Sequence, residues 1–383
     1  MYVSGRGTNG FGTILPAVLE YIRDGGTVTE VFVVGTSSKH SLEAKMKAEE
    51  IMHRTGVSVK LATYPAIGEN VSEAYQTVLN KISGPACAIV SVPDHLHHRI
   101  TKDCLERGLH TLVVKPLTPT VTESFELIAL AAKNNLYGAV EFHKRWDRHN
   151  RILRDEYQCG KFGIPLYTWA EYSQRKSIPS LIFRKWAEQS SIIQYLGVHY
   201  VDIIRFVTGA VPIRAMATGQ KAWLRQAGLN LNDAIQCHVE WKTDEGIIFV
   251  QTLLVNWIDP EQSSAMSDQK LKFVGTQGRY DSDQKERGVR LLYDGQQLDE
   301  PNPDFCRSYH RDDQTLEWKG YGIDSIKTFL SDVRDIFEDR IQPVELEGNR
   351  PTFSESLYST AVIEAAHDSL LNLSKWEKVK LSL

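Results

Sequence analysis

Met1-Tyr2-Val3-Ser4-Gly5-Arg6-Gly7-Thr8-Asn9-Gly10, followed by Ile14, Leu15, Val18, Leu19 and Ile22 at helical spacing, decides the fold. The order reads as a short strand over Met1–Ser4, a glycine-rich turn and a helix. That context gives a G-x-G-x-x-G pattern its dinucleotide meaning. The first glycine makes the tight turn, the second lets a pyrophosphate approach the backbone, and the third lets helix and strand pack closely. The helix N-terminus is then expected to face the anion. Gly5, Gly7, Thr8, Asn9 and Gly10 are the candidate cofactor residues of this loop. The alternative is a tight loop of any α/β domain.

Outward from that loop, strands and helices alternate as far as Phe142. Val28–Gly35 reads as a buried parallel strand, Ser41–Arg54 as a helix with Ser41 as its N-cap, and Val57–Ala62 as a strand. A helix over Asn70–Ile82 and a strand over Ala86–Val92 follow, then helix Leu96–Gly108, strand Thr111–Val114, helix Thr120–Asn134 and strand Tyr137–Phe142. This is the pattern of an α/β protein with a doubly wound parallel sheet. Ligand is expected outside the carboxyl ends of its strands. Gly5–Gly10, Thr36–Lys39, Pro93–His97 and Lys115-Pro116 all fall at such ends.

The second strand of a dinucleotide fold usually ends in an acid that binds the ribose hydroxyls of NAD. Here it runs into Thr36, Ser37, Ser38 and Lys39. A carboxylate would repel a 2'-phosphate, whereas hydroxyls and an ammonium bind one. NADP is therefore expected ahead of NAD. The competing reading is a polar loop that caps the next helix, and the two are compatible.

Near Lys144 the pattern changes. After a helix over Arg148–Tyr157, strands are expected at Leu166–Tyr172, Ile213–Thr218, Ala234–Trp241, Gly246–Asn256 and Lys270–Val274, with a further short one at Val289–Tyr293. Ile235, Cys237, Val239 and Trp241 alternate with polar neighbours, and Thr243–Gly246 reads as a hairpin turn. Helices are expected over Ser191–Thr208, Gly322–Phe337 and Thr352–Leu371. The expected division is 1–143, a dinucleotide-binding domain, and 144–383, an α/β domain with a large, mainly antiparallel open sheet. A sheet with few helices to cover it is expected to assemble into a homodimer or homotetramer.

The chain has 383 residues, 42% of them hydrophobic and 24% charged, which is the mix of a globular protein with more than one core. Its net charge of -4 argues against nucleic acid or anionic membrane as partner. No apolar run reaches a membrane span and no signal pattern opens the chain. The five cysteines are scattered, which fits a reducing, cytoplasmic compartment, and no His/Cys/Asp/Glu cluster has metal spacing.

Five stretches together carry a family resemblance: Gly5–Gly10, Ser91–His97, Val113–Leu117, Phe142–Asp147 and Leu196–Asp202, with Ala361–Ala366 closing the series. The chain resembles the Gfo/Idh/MocA family of sugar and inositol dehydrogenases. The resemblance implies a Rossmann domain, a second α/β domain used for oligomerisation, and hydride transfer between NAD(P) and a carbinol carbon of a sugar, sugar derivative or cyclitol. Two positions depart from it. The family's Glu-Lys-Pro is Val114-Lys115-Pro116 here, and the acid one helical turn before the family histidine is Tyr195.

Oxidising an alcohol needs a hydride acceptor, a base and a group to steady the oxyanion. Tyr195, His199 and Asp202 share a helix face at i, i+4 and i+7, and Lys115 ends a strand that could meet it. Lys115, His199 and Tyr195 are the expected catalytic residues. Their alternatives are a satisfied core histidine and a packed phenol. Lys115 is also expected at the cofactor. The resemblance puts Pro93 on the nicotinamide side. His97 reads equally as a cofactor or substrate contact and as helix-start packing. Lys144, Arg145 and Asp147 follow a strand end at the domain boundary and read as substrate-cleft residues or a solvated charge run. Trp186 reads as a wall of the sugar pocket or as core, and Tyr195 and Asp202 complete the substrate candidates. The competing class is a non-catalytic NAD(P)-binding sensor on the same fold.

Overall fold

The computed structural model describes residues 2–4 and 10–382. Most of the glycine-rich loop, Gly5, Gly7, Thr8 and Asn9 included, lies outside the described residues. Gly10 lies inside them.

Tyr2–Ser4 form turns and no strand. Their carbonyls are used elsewhere: Tyr2 O accepts from Thr13 N at 2.7 Å and Ile14 N at 3.3 Å, and Val3 O from Leu15 N at 2.9 Å. These are among the amides that open α1 (Ile14–Arg23) and that an N-terminus leaves free. The expected strand is thus replaced by a backbone cap. The amides expected to face an anion are already occupied.

The alternation then runs β1 (Glu30–Val34), α2 (Ser38–Thr55), β2 (Lys60–Tyr64), α3 (Ala74–Leu79), β3 (Cys87–Val90), α4 (His97–Glu106), β4 (His110–Val114), α5 (Val121–Lys133) and β5 (Gly138–Glu141). All pairings are parallel, in two sheets: β1 with β2, and β3 with β4 with β5. The helix expected over Asn70–Ile82 is confined to α3. Upstream of α3, Ser38 N donates to Glu69 O and Val71 N to Thr36 O, so this backbone pairs with the end of β1 instead of coiling.

The second unit begins with α6 (Arg148–Gln158) and continues through β6 (Pro165–Arg175), α7 (Val198–Thr208), β7 (Val211–Gln220), α8 (Trp223–Gln226), β8 (Ala234–Lys242), β9 (Ile248–Asp259), β10 (Ser267–Gly275) and β11 (Arg279–Asp283). After β12 (Arg307–His310) and β13 (Leu316–Lys319) come α9 (Tyr321–Phe337), α10 (Phe353–Leu371) and β14 (Glu377–Lys378). The large sheet has seven strands in the order β11-β10-β6-β9-β8-β7-β14, antiparallel except for β6 with β9. Ile235, Cys237, Val239 and Trp241 point to its covered face and are fully buried. Val289–Tyr293 is not a strand and holds one isolated bridge, Leu291 to Asp299.

A single cut at Lys144 does not describe the packing. Leu316, Trp318, Ile323, Ile326 and Phe329 join one apolar cluster with Ile14, Leu15, Leu19 and Ile51. Arg23 donates to Leu316 O, and Trp318 N donates to Glu20. The chain therefore returns to the first unit after completing most of the large sheet. Among the described residues no helix is long and apolar enough to cross a membrane.

Candidate active site

β1 runs into Thr36–Lys39, and α2 starts three residues before its expected N-cap. Ser37 is the N-cap, its hydroxyl accepting from His40 N, while the Ser41 hydroxyl turns back to Ser37 O. Thr36 and Lys39 are exposed at this helix start, Ser38 is half-buried beside them, and the first turn carries no acid. A helix N-terminus with free hydroxyls, an ammonium and no carboxylate fits a phosphate.

β4 delivers Lys115 into the interior, where it is only 8% exposed. Its ammonium donates to Tyr195 O at 2.7 Å and sits 3.5 Å from the centre of the Tyr195 ring. Burial pulls its pKa down to about 8, against the opposing fields of Asp94 and Glu141. Asp94 follows β3. It accepts from Ser190 Oγ at 2.6 Å and Gln194 Nε2 at 2.9 Å, so it clamps the segment that leads into Tyr195. The Tyr195 phenol is held well above its usual pKa by burial and then by Asp94, and it stays protonated.

The expected helix over Ser191–Thr208 is broken in type. Ile193–Gly197 is a π-turn and the α-helix proper starts at Val198. Such insertions recur at functional sites. Beyond it His199 is buried, with no partner for Nδ1 among the described residues. Burial, then Lys115, His143 and Lys144, keep its pKa well below the ordinary histidine value, so the ring is neutral at pH 7. Its ring centre lies 5.0 Å from that of His143, 6.2 Å from Tyr172 and 6.3 Å from Phe142.

Other expected site residues are tied into the frame. Arg145 and Asp202 bind each other bidentately at 2.9 and 2.6 Å, both buried. Asp147 caps α6 and pairs with Arg287 at 2.7 Å, and the carboxyl is held well below its usual range by His149 and Arg287 in spite of its burial. Lys144 donates to Gln284 at 2.7 Å, lies 5.5 Å from the Tyr172 ring and 5.4 Å from the Tyr200 ring, and is pulled down to about 7 by burial. His97 meets Pro116 O at 2.6 Å and Val92 O at 3.0 Å, so its ring staples the ends of β3 and β4. Pro93 opens the turn between β3 and α4, its carbonyl accepting from Leu96 N. Trp186 stands 4.5 Å from Phe183 and 6.3 Å from Tyr195, ring centre to ring centre.

Three residues here have no assigned role in the sequence reading: Asp94, Glu141 and His143. Glu141 is 2% exposed, accepts from Ser325 Oγ at 2.9 Å, and receives His143 Nδ1 at 2.9 Å. Asp94 and Glu141 supply, from other strand ends, carboxylates near Lys115 where Val114 and Tyr195 carry none. The available signal was a charged residue closing the apolar run Ala139-Val140-Glu141 at the same sheet edge. Among the described residues no three His, Cys, Asp or Glu side chains form a metal-holding group.

Parallel strands that end in a buried lysine, facing a helix that carries a neutral histidine, define a two-unit α/β oxidoreductase scaffold. Residues 10–142 match the Gfo/Idh/MocA oxidoreductase family with an NAD-binding Rossmann fold, and residues 151–281 match that family's C-terminal domain. The chain belongs to this family. It is 30% identical over 153 residues to a UDP-N-acetylglucosamine 3-dehydrogenase of Acidithiobacillus ferrooxidans, covering 39% of this chain and 45% of that one. It is 25% identical over 138 residues to a scyllo-inositol 2-dehydrogenase (NADP(+)) of Bacillus subtilis, covering 35% and 38%. The matched stretch thus spans less than half of either relative. The scyllo-inositol dehydrogenase of Lactobacillus casei, solved with bound NAD(H) and scyllo-inositol, superposes with a TM-score of 0.65 at 14% identity, covering 95% of each chain, and shares the fold.

Proposed function

We propose that the chain is an NAD(P)-dependent dehydrogenase that acts on the CH–OH group of a sugar, sugar derivative or cyclitol, with NADP preferred. The observation that carries this reading is Lys115: a buried ammonium with, among the described residues, a single oxygen acceptor, beside a neutral His199 whose Nδ1 has no partner among them. A buried donor and an orphaned nitrogen in one place call for a ligand that bonds to both. Bound at the strand ends, the nicotinamide would supply the hydride acceptor. Thr36, Ser38 and Lys39 would hold the 2'-phosphate, with Ser37 organising the turn. The pyrophosphate cradle falls to the Gly5–Gly10 stretch.

In this reading Lys115 binds the substrate oxygen and steadies its developing charge. His199, uncharged at neutral pH, takes the hydroxyl proton. Tyr195 donates to the same oxygen or shapes the pocket with Trp186. Lys144 stands close enough to His199 to act on it electrostatically. The Arg145–Asp202 and Asp147–Arg287 pairs hold the frame. Copies associate through the uncovered sheet face, where Tyr167, Ile248 and Ile258 are exposed and Trp169, Val250 and Leu254 half-buried. A single-copy mass by light scattering at micromolar concentration would end that part.

The sensor reading draws on Tyr195, which covers Lys115 with its ring. Turnover on a panel of sugars and cyclitols with each cofactor separates the two: reduction of NADP by at least one substrate is expected. Tight cofactor binding with no turnover on any of them would hand the chain to the sensor class.

A further inference from the structure

We propose that His143, oriented by Glu141, is the proton relay that empties His199. This rests on the dehydrogenase reading above and adds the path the proton takes.

Alcohol oxidation breaks an O–H and a C–H bond. The C–H electron pair leaves as hydride to the oxidised cofactor, the carbonyl forms, and one proton is left over. His199 receives it, yet it cannot keep it. The ring is buried, and the groups that face it are Lys115, His143 and Lys144, all able to carry positive charge, with Phe142 and Tyr172 on its remaining sides. A proton placed there must move on.

Of those groups, Lys115 already holds its proton at neutral pH, and Lys144 is fully buried with its amine donating to Gln284, so a proton passed to it has no direct way on to water. His143 is the remaining acceptor. Its ring centre is 5.0 Å from that of His199, so the two imidazoles pack directly against each other. Its Nδ1 is fixed by Glu141, and the carboxylate is fixed in turn by Ser325. Tyr321 stacks on the ring at 5.6 Å and Phe305 packs at 5.2 Å, so its orientation is set. A carboxylate on Nδ1 fixes the ring and its tautomer and leaves the other nitrogen as the one that can take up a proton. His143 is also the more open of the two, its side chain 13% exposed, and so forms the step toward water.

The relay is tested on the full chain in two ways. First, the imidazole titrations of His143 and His199 are followed by NMR in wild type, His143→Asn and Glu141→Gln. Coupling is expected: His143→Asn raises the midpoint of His199, and Glu141→Gln, which frees the His143 ring, shifts it as well. Independent titrations overturn the proposal whether or not the chain turns over. Second, in steady state with a substrate found by the panel, His143→Asn is expected to lower kcat at least ~10-fold with KM for the cofactor unchanged, and free imidazole to restore it. Unrescued loss, or no loss, overturns the relay while leaving the dehydrogenase reading intact. A wild-type chain without turnover strikes that reading, and the titrations alone then decide whether the two histidines share a proton.

Discussion

The Lys115 ammonium donates to the main-chain oxygen of Tyr195 at 2.7 Å and lies 3.5 Å from the centre of the same residue's ring. One residue thus offers the cation both a carbonyl and a π-face. Desolvated cation–π contacts contribute about 2 kcal/mol. That arrangement holds a buried charge where the neighbouring carboxylates, Asp94 and Glu141, act only through their fields.

Lys115→Ala and His199→Ala should each lower kcat by at least ~10², with cofactor affinity little changed. Tyr195→Phe keeps the ring and removes the hydroxyl. A loss as large as that of His199→Ala would make Tyr195 a donor to the reacting oxygen, and a few-fold loss would leave it as a wall. The Lys115/His199 double variant should lose less than the product of the singles, because the two act as a unit. Near wild-type turnover in both single variants would discard the assignment.

The pH profile of kcat/KM should fall as pH rises through about 8, where Lys115 gives up its proton. On the acid side the limit should lie well below pH 6.5, because His199 stays uncharged until then. Lys115→Arg, if active, should carry the alkaline limb upward, since guanidinium keeps its charge. A profile flat from pH 7 to 9 would show that the ammonium is not required.

Lys115 costs stability at neutral pH. Below about 8 the folded and unfolded chains both carry its proton, and the folded one bears the desolvation. Between about 8 and the unperturbed 10.5 the unfolded chain binds more protons, so this residue's contribution makes stability rise with pH. Lys115→Met should therefore stabilise at pH 7, by about 1–3 kcal/mol, and the gain should shrink toward pH 10. A lower urea midpoint at pH 7 would count against the buried-charge account.

Asp202→Ala should destabilise by about 3–5 kcal/mol, because Arg145 is left charged and buried. Replacing both partners with apolar residues should recover part of that loss. If Asp202 only holds Arg145, the substrate KM of any variant that folds should stay within a few-fold of wild type. A selective rise in KM without loss of stability would return Asp202 to the substrate pocket.

Cofactor titrations should show tighter binding of NADP(H) than NAD(H), and Lys39→Ala should weaken the first selectively. Tighter NAD(H) binding that Lys39→Ala leaves untouched would remove the phosphate site from the start of α2.

Period-2 and period-3.6 patterns carried much of the fold into view. Ile235, Cys237, Val239 and Trp241 have to share a face once the segment is extended, and they do. Strand ends carry chemistry in parallel sheets, which brought Lys115 into view. What escaped was set by competition for backbone groups and by distant packing. Tyr2 and Val3 are good strand formers, but their carbonyls cap α1. The π-turn at Ile193–Gly197 changes the phase between Tyr195 and His199, which no apolar spacing announces. Glu141 reads locally as one acid at the end of a strand. Its proximity to Lys115 depends on how three parallel strands are stacked side by side.

The return of Leu316–Phe329 to the first unit has a mechanical consequence. The chain passes between the units near Phe142–Asp147, comes back beyond Asn302, and passes again where Val140 N bonds to Pro351 O. A body strung through several such crossings cannot swing open like jaws on one hinge.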